Sequence, residues 1–113
     1  MGIRWHAATL GAALVVLLGF GGPAQAADCE VAIQAGDNMR FSVPEITVDR
    51  SCTQFTVHLE HTGKLPLKSM GHDWVLVRSE DLEAVAEDGL DAGLEHGYLK
   101  PDDARVIAHT RLI

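Results

Sequence analysis

The chain lacks the motifs that identify the commonest enzymes and nucleic-acid-binding proteins. It has no phosphate-binding glycine loop, no Gly-x-Ser-x-Gly nucleophile motif and no metalloprotease histidine pair. Basic residues are scarce, with nine Lys and Arg against sixteen Asp and Glu. Because a nucleic-acid partner requires a basic surface, this acidic balance argues against one.

The sequence contains only one long apolar run, and it lies near the start. Arg4 precedes an apolar run at residues 7–20, a Gly-Gly-Pro break follows, and Ala24 and Ala26 occupy the small-residue positions of a cleavage site. This order predicts a cleavable signal peptide at residues 1–26 and export of the remainder. The alternative is a membrane anchor. A spanning helix needs about 20 apolar residues, however, and the run at residues 7–20 is shorter.

Only two cysteines are present, Cys29 and Cys52, and both follow the predicted cleavage site. The 87 residues from Ala27 onward suffice for one small domain, and small exported domains often need a covalent staple. Outside the cytoplasm such a pair usually forms a disulfide. The alternative is two free thiols, one of them a metal ligand.

The first half of the mature chain has the alternation of β-strands. Residues 31–33 begin a strand that runs into a turn at residues 36–38, and residues 43–48 are predicted to be extended. Apolar and polar residues alternate over residues 55–60, which predicts a half-buried strand. A loop is predicted at residues 62–66.

The second half predicts two more strands around a short helix. His72, Trp74 and Leu76 should share one face of a strand, with Val75 and Val77 on the other. Ser79 is the expected N-cap of a helix that ends at Gly89 or Gly93, with Leu82, Val85 and Ala86 on its apolar face. A last strand is expected over residues 106–113. The class is therefore mostly β, a sandwich with one helical insertion, and we expect it to be incomplete.

Among the histidines, His72 has the environment of a candidate metal ligand. It follows Met70 and Gly71 at the start of a predicted strand, at the rim of the core beside Trp74. Imidazole is a common ligand of copper and zinc. The alternative is a hydrogen-bonded structural histidine. His58 and His61 are three apart on a strand and should face opposite sides, while His96 and His109 are expected at the surface.

Three long segments of the mature chain resemble the azurins, bacterial blue copper proteins of the cupredoxin fold. They are residues 46–57, residues 98–110, and the sequence Met-Gly-His-x-Trp-Val-Leu at residues 70–76. The resemblance covers residues 27–113 and implies a cupredoxin-like Greek-key β-sandwich domain. It also implies a periplasmic single-electron carrier that uses copper and is not an enzyme in the sense of substrate turnover.

The resemblance implies a role for each of several residues. His72 corresponds to the first imidazole ligand of copper, and Gly71 to the glycine whose carbonyl approaches the metal axially. Cys29 and Cys52 correspond to the azurin disulfide. His61 and Trp74 correspond to residues beside the site and at the centre of the barrel, and His109 to a surface histidine. An apolar patch for redox partners, such as cytochromes or reductases, would contain Met39, Leu65 and Met70.

Two departures from the azurin pattern limit these expectations. Asp73 stands where azurins usually have Asn, and an ionised carboxylate cannot donate the hydrogen bonds of an amide. Azurins also have a Cys-x4-His-x3-Met ligand loop that this sequence does not contain, so we expect the last strands and three ligands to be missing. The alternatives are a non-redox exported β-sandwich that binds a partner, and an inactive fragment.

Overall fold

A computed structural model describes residues 28–113 of the chain. The predicted signal peptide and the cleavage site at residues 26 and 27 lie outside the described residues. Within residues 28–113, no helix is long and apolar enough to cross a bilayer.

The first sheet consists of two parallel strands, β1 (Glu30–Ala35) and β2 (Thr56–His61). Their register places Glu30 opposite Thr56 and Ala35 opposite His61. Exposed and half-buried residues alternate along the whole of β2, as predicted from the sequence, and His61 lies on the inward side. On β1, Ile33 and Ala35 are each only 1% exposed and form the centre of the packed core.

The second sheet is short and antiparallel. It follows a one-turn helix, α1 (Leu67–Met70), and pairs β3 (Val75–Leu76) with β4 (Ala108–His109). The predicted strand over residues 106–113 was therefore too long. Backbone hydrogen bonds continue beyond β4, because Thr110 N–H donates to Trp74 O at 2.9 Å and Ile113 N–H donates to His72 O, also at 2.9 Å.

A change of register explains why the second ladder is interrupted. Val75 pairs with His109, but His72 pairs with Ile113, one residue further along than a regular ladder would give. The extra residue is the signature of a bulge. His72 consequently lies before β3 rather than within it, which corrects the prediction that it shares a regular strand with Trp74 and Leu76.

The helical insertion is α2 (Leu82–Ala92), flanked by 3₁₀ turns at Ser79–Asp81 and Leu94–His96. Ser79 is not its N-cap as predicted, because the 3₁₀ turn extends the helical path and makes Asp81 the N-cap residue. The helix ends at Gly93, whose φ of 73° is accessible to glycine at little cost. Val85 is buried, whereas the side chain of Leu82 is largely exposed.

Residues 43–48 form no strand, although an extended strand was predicted there. The chain contacts the outer edge of β1 only briefly, through a bridge between Ala35 and Phe41 and a hydrogen bond from Ser42 N–H to Gln34 O at 2.8 Å. Pro44 then follows, and it has no N–H to continue a ladder.

A cavity of about 390 Å³ separates the two sheets. Phe55 and Val57, just before and within β2, line it on one side, and Trp74 and Leu76, just before and within β3, line it on the other. Val75 and Val77 instead line a second cavity beside α2, so the predicted division of these residues between two faces is correct.

Candidate metal centre

His72 is positioned by backbone hydrogen bonds on both of its sides. Its N–H donates to Ile113 O at 2.8 Å, and its carbonyl accepts from Ile113 N–H at 2.9 Å. The preceding residues form the single turn of α1, which ends with a hydrogen bond of 2.8 Å from Gly71 N–H to Leu67 O. His72 is half-buried, and its ring lies beside Gly36 in the turn after β1.

The His72 ring has one nitrogen anchored by the protein. Its Nε2 atom lies 2.8 Å from the carbonyl oxygen of Gly36. A carbonyl oxygen can only accept, so Nε2 carries the proton and Nδ1 of the neutral ring has a free lone pair. In metal-binding histidines, the ring nitrogen that does not bind the metal usually donates such a hydrogen bond, which fixes the tautomer and the orientation of the ring. The arrangement therefore leaves Nδ1 able to bind a cation.

Gly71 offers a carbonyl oxygen next to His72. No hydrogen-bond donor within the described residues contacts this oxygen. A Cβ atom at this position would lie 2.6 Å from Leu67 O and 3.2 Å from the Leu112 side chain. The backbone is therefore packed too closely here for any side chain.

His61 lies beside His72 on the inner face of β2. Their ring centroids are 5.8 Å apart with an angle of 37° between the ring planes, and His61 Nε2 lies 3.3 Å from Met70 O. Trp74 is half-buried, and its backbone N–H donates to the Thr110 hydroxyl at 2.9 Å. His61 therefore lies beside His72, whereas Trp74 lines the cavity between the two sheets.

Asp73 also lies at the site and is half-buried in the wall of the second cavity. Burial raises the pKa of its carboxyl above the usual 3.8, while its own backbone N–H and the nearby His109 and His72 act in the opposite direction. Its negative charge therefore lies in a partly desolvated position.

Asp37 joins the two loops that flank His72. Its carboxylate accepts from the backbone N–H groups of Lys64 at 2.9 Å and Leu65 at 3.3 Å. The sequence marked residues 36–38 only as a turn, so the roles of the Gly36 carbonyl and the Asp37 carboxylate were not predicted. Both depend on backbone atoms distant in sequence, which no local pattern reveals.

The proposed partner patch is apolar and accessible in two of its three residues. Met39 is 77% exposed and Leu65 is 46% exposed, whereas Met70 is half-buried. Met39 N–H donates to Gly36 O at 3.3 Å, so the backbone of Met39 contacts the same carbonyl oxygen that binds the His72 ring.

The two cysteines do not contribute to this site. Cys29 and Cys52 form a disulfide with Cα atoms 5.6 Å apart, which confirms the predicted pair and makes the alternative of two free thiols wrong. The remaining histidines of the described region are exposed: His58 lies 3.2 Å from Glu30, His109 Nδ1 lies 2.9 Å from Thr110 O, and His96 is in a 3₁₀ turn.

Residues 28–113 do not by themselves fit a blue copper ion. Such a site needs two imidazoles, a thiolate and a weak axial ligand. No group of three or more His, Cys, Asp or Glu side chains in the described region could hold a metal. What this part of the chain offers is His72 Nδ1 and the Gly71 carbonyl, so we assign no chemical step to copper here.

Comparison with known proteins identifies the family. Residues 27–113 match the family described as copper binding proteins, plastocyanin/azurin family. The chain is 53% identical to an azurin of Pseudomonas aeruginosa over 102 residues, covering 90% of this chain and 69% of the relative. It is 48% identical to an azurin of Bordetella pertussis over 100 residues, with 88% and 67% covered. An azurin of Achromobacter denitrificans is 50% identical over 91 residues, with 80% and 61% covered.

These matches confirm the predicted azurin resemblance, the mostly β cupredoxin class and copper as the metal of the family. Because residues 27–113 match the family and the identities to azurins are near one half, the chain belongs to the plastocyanin/azurin family of copper binding proteins.

Proposed function

We propose that this protein is a copper-dependent single-electron carrier that works outside the cytoplasm, in the periplasm. It exchanges electrons with other redox proteins and turns over no substrate of its own. The observation that carries the proposal is the anchoring of His72, whose Nε2 is held by Gly36 O at 2.8 Å while Nδ1 stays available. In this role His72 would hold the ion through Nδ1, and Gly71 would offer its carbonyl oxygen beside it.

The contribution of residues 28–113 to such a carrier is rigidity. His72 is fixed through its ring by Gly36, and through its backbone by Ile113 on both sides. An imidazole held in this way keeps its orientation when the charge of a bound ion changes. The thiolate, the second imidazole and the thioether of a complete centre would have to come from residues other than those described.

The predicted leader and domain boundaries complete the proposal. Residues 1–26 would direct export, and residues 27–113 would form the cupredoxin-like domain. The Cys29–Cys52 disulfide supports an oxidising compartment, because such bonds are rare in the cytoplasm.

Redox partners would dock on the apolar patch of Met39, Leu65 and Met70. The exposure of Met39 and Leu65 supports this assignment, since partners often meet exposed apolar patches. The link from Met39 N–H to Gly36 O supports it as well, because the same carbonyl anchors His72. Cytochromes and reductases are the partners that the azurin resemblance suggests.

The experiment is a copper titration of the chain extended by a segment that supplies the last strands and the Cys-x4-His-x3-Met ligand loop of an azurin, followed by electron paramagnetic resonance. We expect one Cu²⁺ with an imidazole nitrogen ligand, and we expect His72→Ala to weaken binding by more than about tenfold. His109→Ala is the matched control and should bind as the parent does. The bound ion should then accept one electron and return it without leaving the protein.

Two results would refute the proposal. One is copper binding that His72→Ala leaves unchanged. The other is release of the metal on reduction, because a carrier must keep its ion in both oxidation states.

A further inference from the structure

The carbonyl that anchors the His72 ring belongs to Gly36, a residue with no side chain to hold it in place. The Gly36 C=O lies in the same rigid peptide plane as the Asp37 N–H, so the two groups turn together. Glycine rotates more freely about its backbone bonds than any other residue. The direction of this carbonyl therefore depends on how firmly the neighbouring residues, Ala35 and Asp37, are fixed.

Ala35 fixes the chain on the first side of this peptide plane. It is the last residue of β1, it is only 1% exposed, and its carbonyl accepts a hydrogen bond of 2.9 Å from Thr62 N–H. Gly36 lies close to the same loop, because a Cβ atom at its position would lie 3.0 Å from the Thr62 hydroxyl oxygen. The backbone is thus held up to Gly36.

Asp37 fixes the chain on the second side through its side chain. Its Oδ2 atom accepts from Lys64 N–H at 2.9 Å, and its Oδ1 atom accepts from Leu65 N–H at 3.3 Å. Gly63 packs against the same carboxylate so closely that a Cβ atom there would overlap Oδ1. The carboxylate therefore ties the far end of the peptide plane to the loop that follows β2.

We propose that Asp37 is a positioning residue for His72 and acts through the Gly36 carbonyl. Its carboxylate holds the peptide plane in the direction in which Gly36 O meets Nε2 of the ring at 2.8 Å. The value of this orientation for binding a metal rests on the function proposed above. The orientation itself does not, because it is a contact within the chain.

The geometry uses both oxygens of the Asp37 carboxylate. Each oxygen accepts from a different backbone N–H, whereas an amide has one oxygen and a nitrogen that only donates. Asp37→Asn therefore keeps at most one of the two hydrogen bonds and places a donor against a donor at the other. Because Asp37 is exposed, water can solvate the released N–H group, so the substitution should leave the fold intact.

The Nε2–H proton of His72 reports on this role and can be followed by ¹H–¹⁵N NMR at a pH where the ring is neutral. The protein is the chain extended as for the copper titration and kept free of metal, and the signal is assigned by its loss in His72→Gln. In the parent we expect the Nε2–H tautomer and slow exchange with water, because Gly36 O holds the proton. In Asp37→Asn we expect exchange to be about tenfold faster, as for the loss of one ordinary hydrogen bond, and a detectable Nδ1–H form.

A substitution in the other loop should have the same effect. Gly63→Ala displaces the Asp37 carboxylate from the opposite side and should raise the exchange rate by a similar factor. Because both substitutions act on the same hydrogen bonds, the double variant should exchange no faster than the faster single variant.

Asp103→Asn is the matched control for Asp37→Asn. It makes the same substitution at a carboxylate that accepts hydrogen bonds from Arg105, so it should lower stability and leave the His72 signal unchanged. An unchanged His72 signal in both Asp37→Asn and Gly63→Ala would overturn the positioning role. An equal change in Asp103→Asn would also overturn it, because the ring would then respond to any loss of stability.

The metal-free measurement separates this role from the proposed function. Failure of the copper titration together with the expected exchange rates would refute the electron carrier and support the role of Asp37. Successful copper binding through His72, with exchange rates that neither Asp37→Asn nor Gly63→Ala changes, would refute the role of Asp37 alone.

Discussion

The Nε2 atom of His72 donates a hydrogen bond of 2.8 Å to the carbonyl oxygen of Gly36, a residue 36 positions earlier in the chain. This bond joins the turn after β1 to the segment between α1 and β3. It determines which nitrogen of the ring remains free.

The tautomer of His72 can be measured by ¹⁵N NMR at a pH where the ring is neutral. We expect the proton on Nε2, because the Gly36 carbonyl can only accept. His109 is an internal control, since its Nδ1 lies 2.9 Å from Thr110 O and should carry the proton instead. A proton on Nδ1 of His72 would contradict the proposed metal-binding orientation.

Gly63 permits the contact between Asp37 and the loop that contains Lys64 and Leu65. A Cβ atom at position 63 would overlap the Asp37 carboxylate, so Gly63→Ala must displace it and break its hydrogen bonds to two backbone N–H groups. We expect a loss of about 1–3 kcal/mol in the free energy of unfolding.

Urea unfolding of a double-mutant cycle measures this coupling. Because both substitutions disrupt the same hydrogen bonds, Gly63→Ala combined with Asp37→Ala should cost less than the sum of the two single changes. Additive effects would show that Gly63 is required for another reason.

The sequence predicted the elements whose signals are local. Strict alternation predicted β2, and export with the count of two cysteines predicted the disulfide. The sequence offered Gly89 and Gly93 as ends of α2, and the helix ends at Gly93. The resemblance to azurins supplied the family, which the alternation alone could not distinguish from other β-sandwiches.

The errors lie where distant contacts decide the structure. The one-residue shift between the Val75–His109 and His72–Ile113 pairs shortens β4, and no periodicity in the sequence indicates it. The anchor of His72 is likewise a backbone carbonyl, which every residue possesses. The sequence could therefore identify the histidine but not the atom that orients it.

An acid-sensitive ion pair joins α2 to the segment before β4. Arg105 donates from Nε to Asp103 Oδ1 at 2.8 Å and from Nη2 to Asp103 Oδ2 at 2.7 Å, and Nη2 also contacts Asp88 on α2. The Arg105 side chain, together with its backbone N–H, lowers the pKa of Asp103 from 3.8 to about 2.

A carboxyl whose pKa is lowered on folding stabilises the protein above its unfolded pKa. This contribution is lost as the pH falls through its folded pKa. We therefore expect Asp103→Asn to lower Tm at neutral pH, and the difference from the parent to shrink between pH 4 and pH 2. Asp102→Asn removes the same charge from a carboxylate without an ion pair in the described region, and should change Tm little. A difference between Asp103→Asn and the parent that does not vary with pH would refute this role.

Gly89 lies where α2 packs against the chain that returns from it. It is buried, and a Cβ atom there would overlap the carbonyl oxygen of Tyr98. Helix propensity alone predicts that Gly89→Ala stabilises the helix by about 1 kcal/mol. We expect the opposite sign, a loss of about 1–3 kcal/mol in the free energy of unfolding, because overpacking must move the Tyr98 backbone.

The exposed Ala84 of the same helix is the control, where Ala84→Gly should lower the free energy of unfolding by about 1 kcal/mol through helix propensity. Urea unfolding followed by far-UV circular dichroism measures both, and a more stable Gly89→Ala would show that the Tyr98 segment yields without cost.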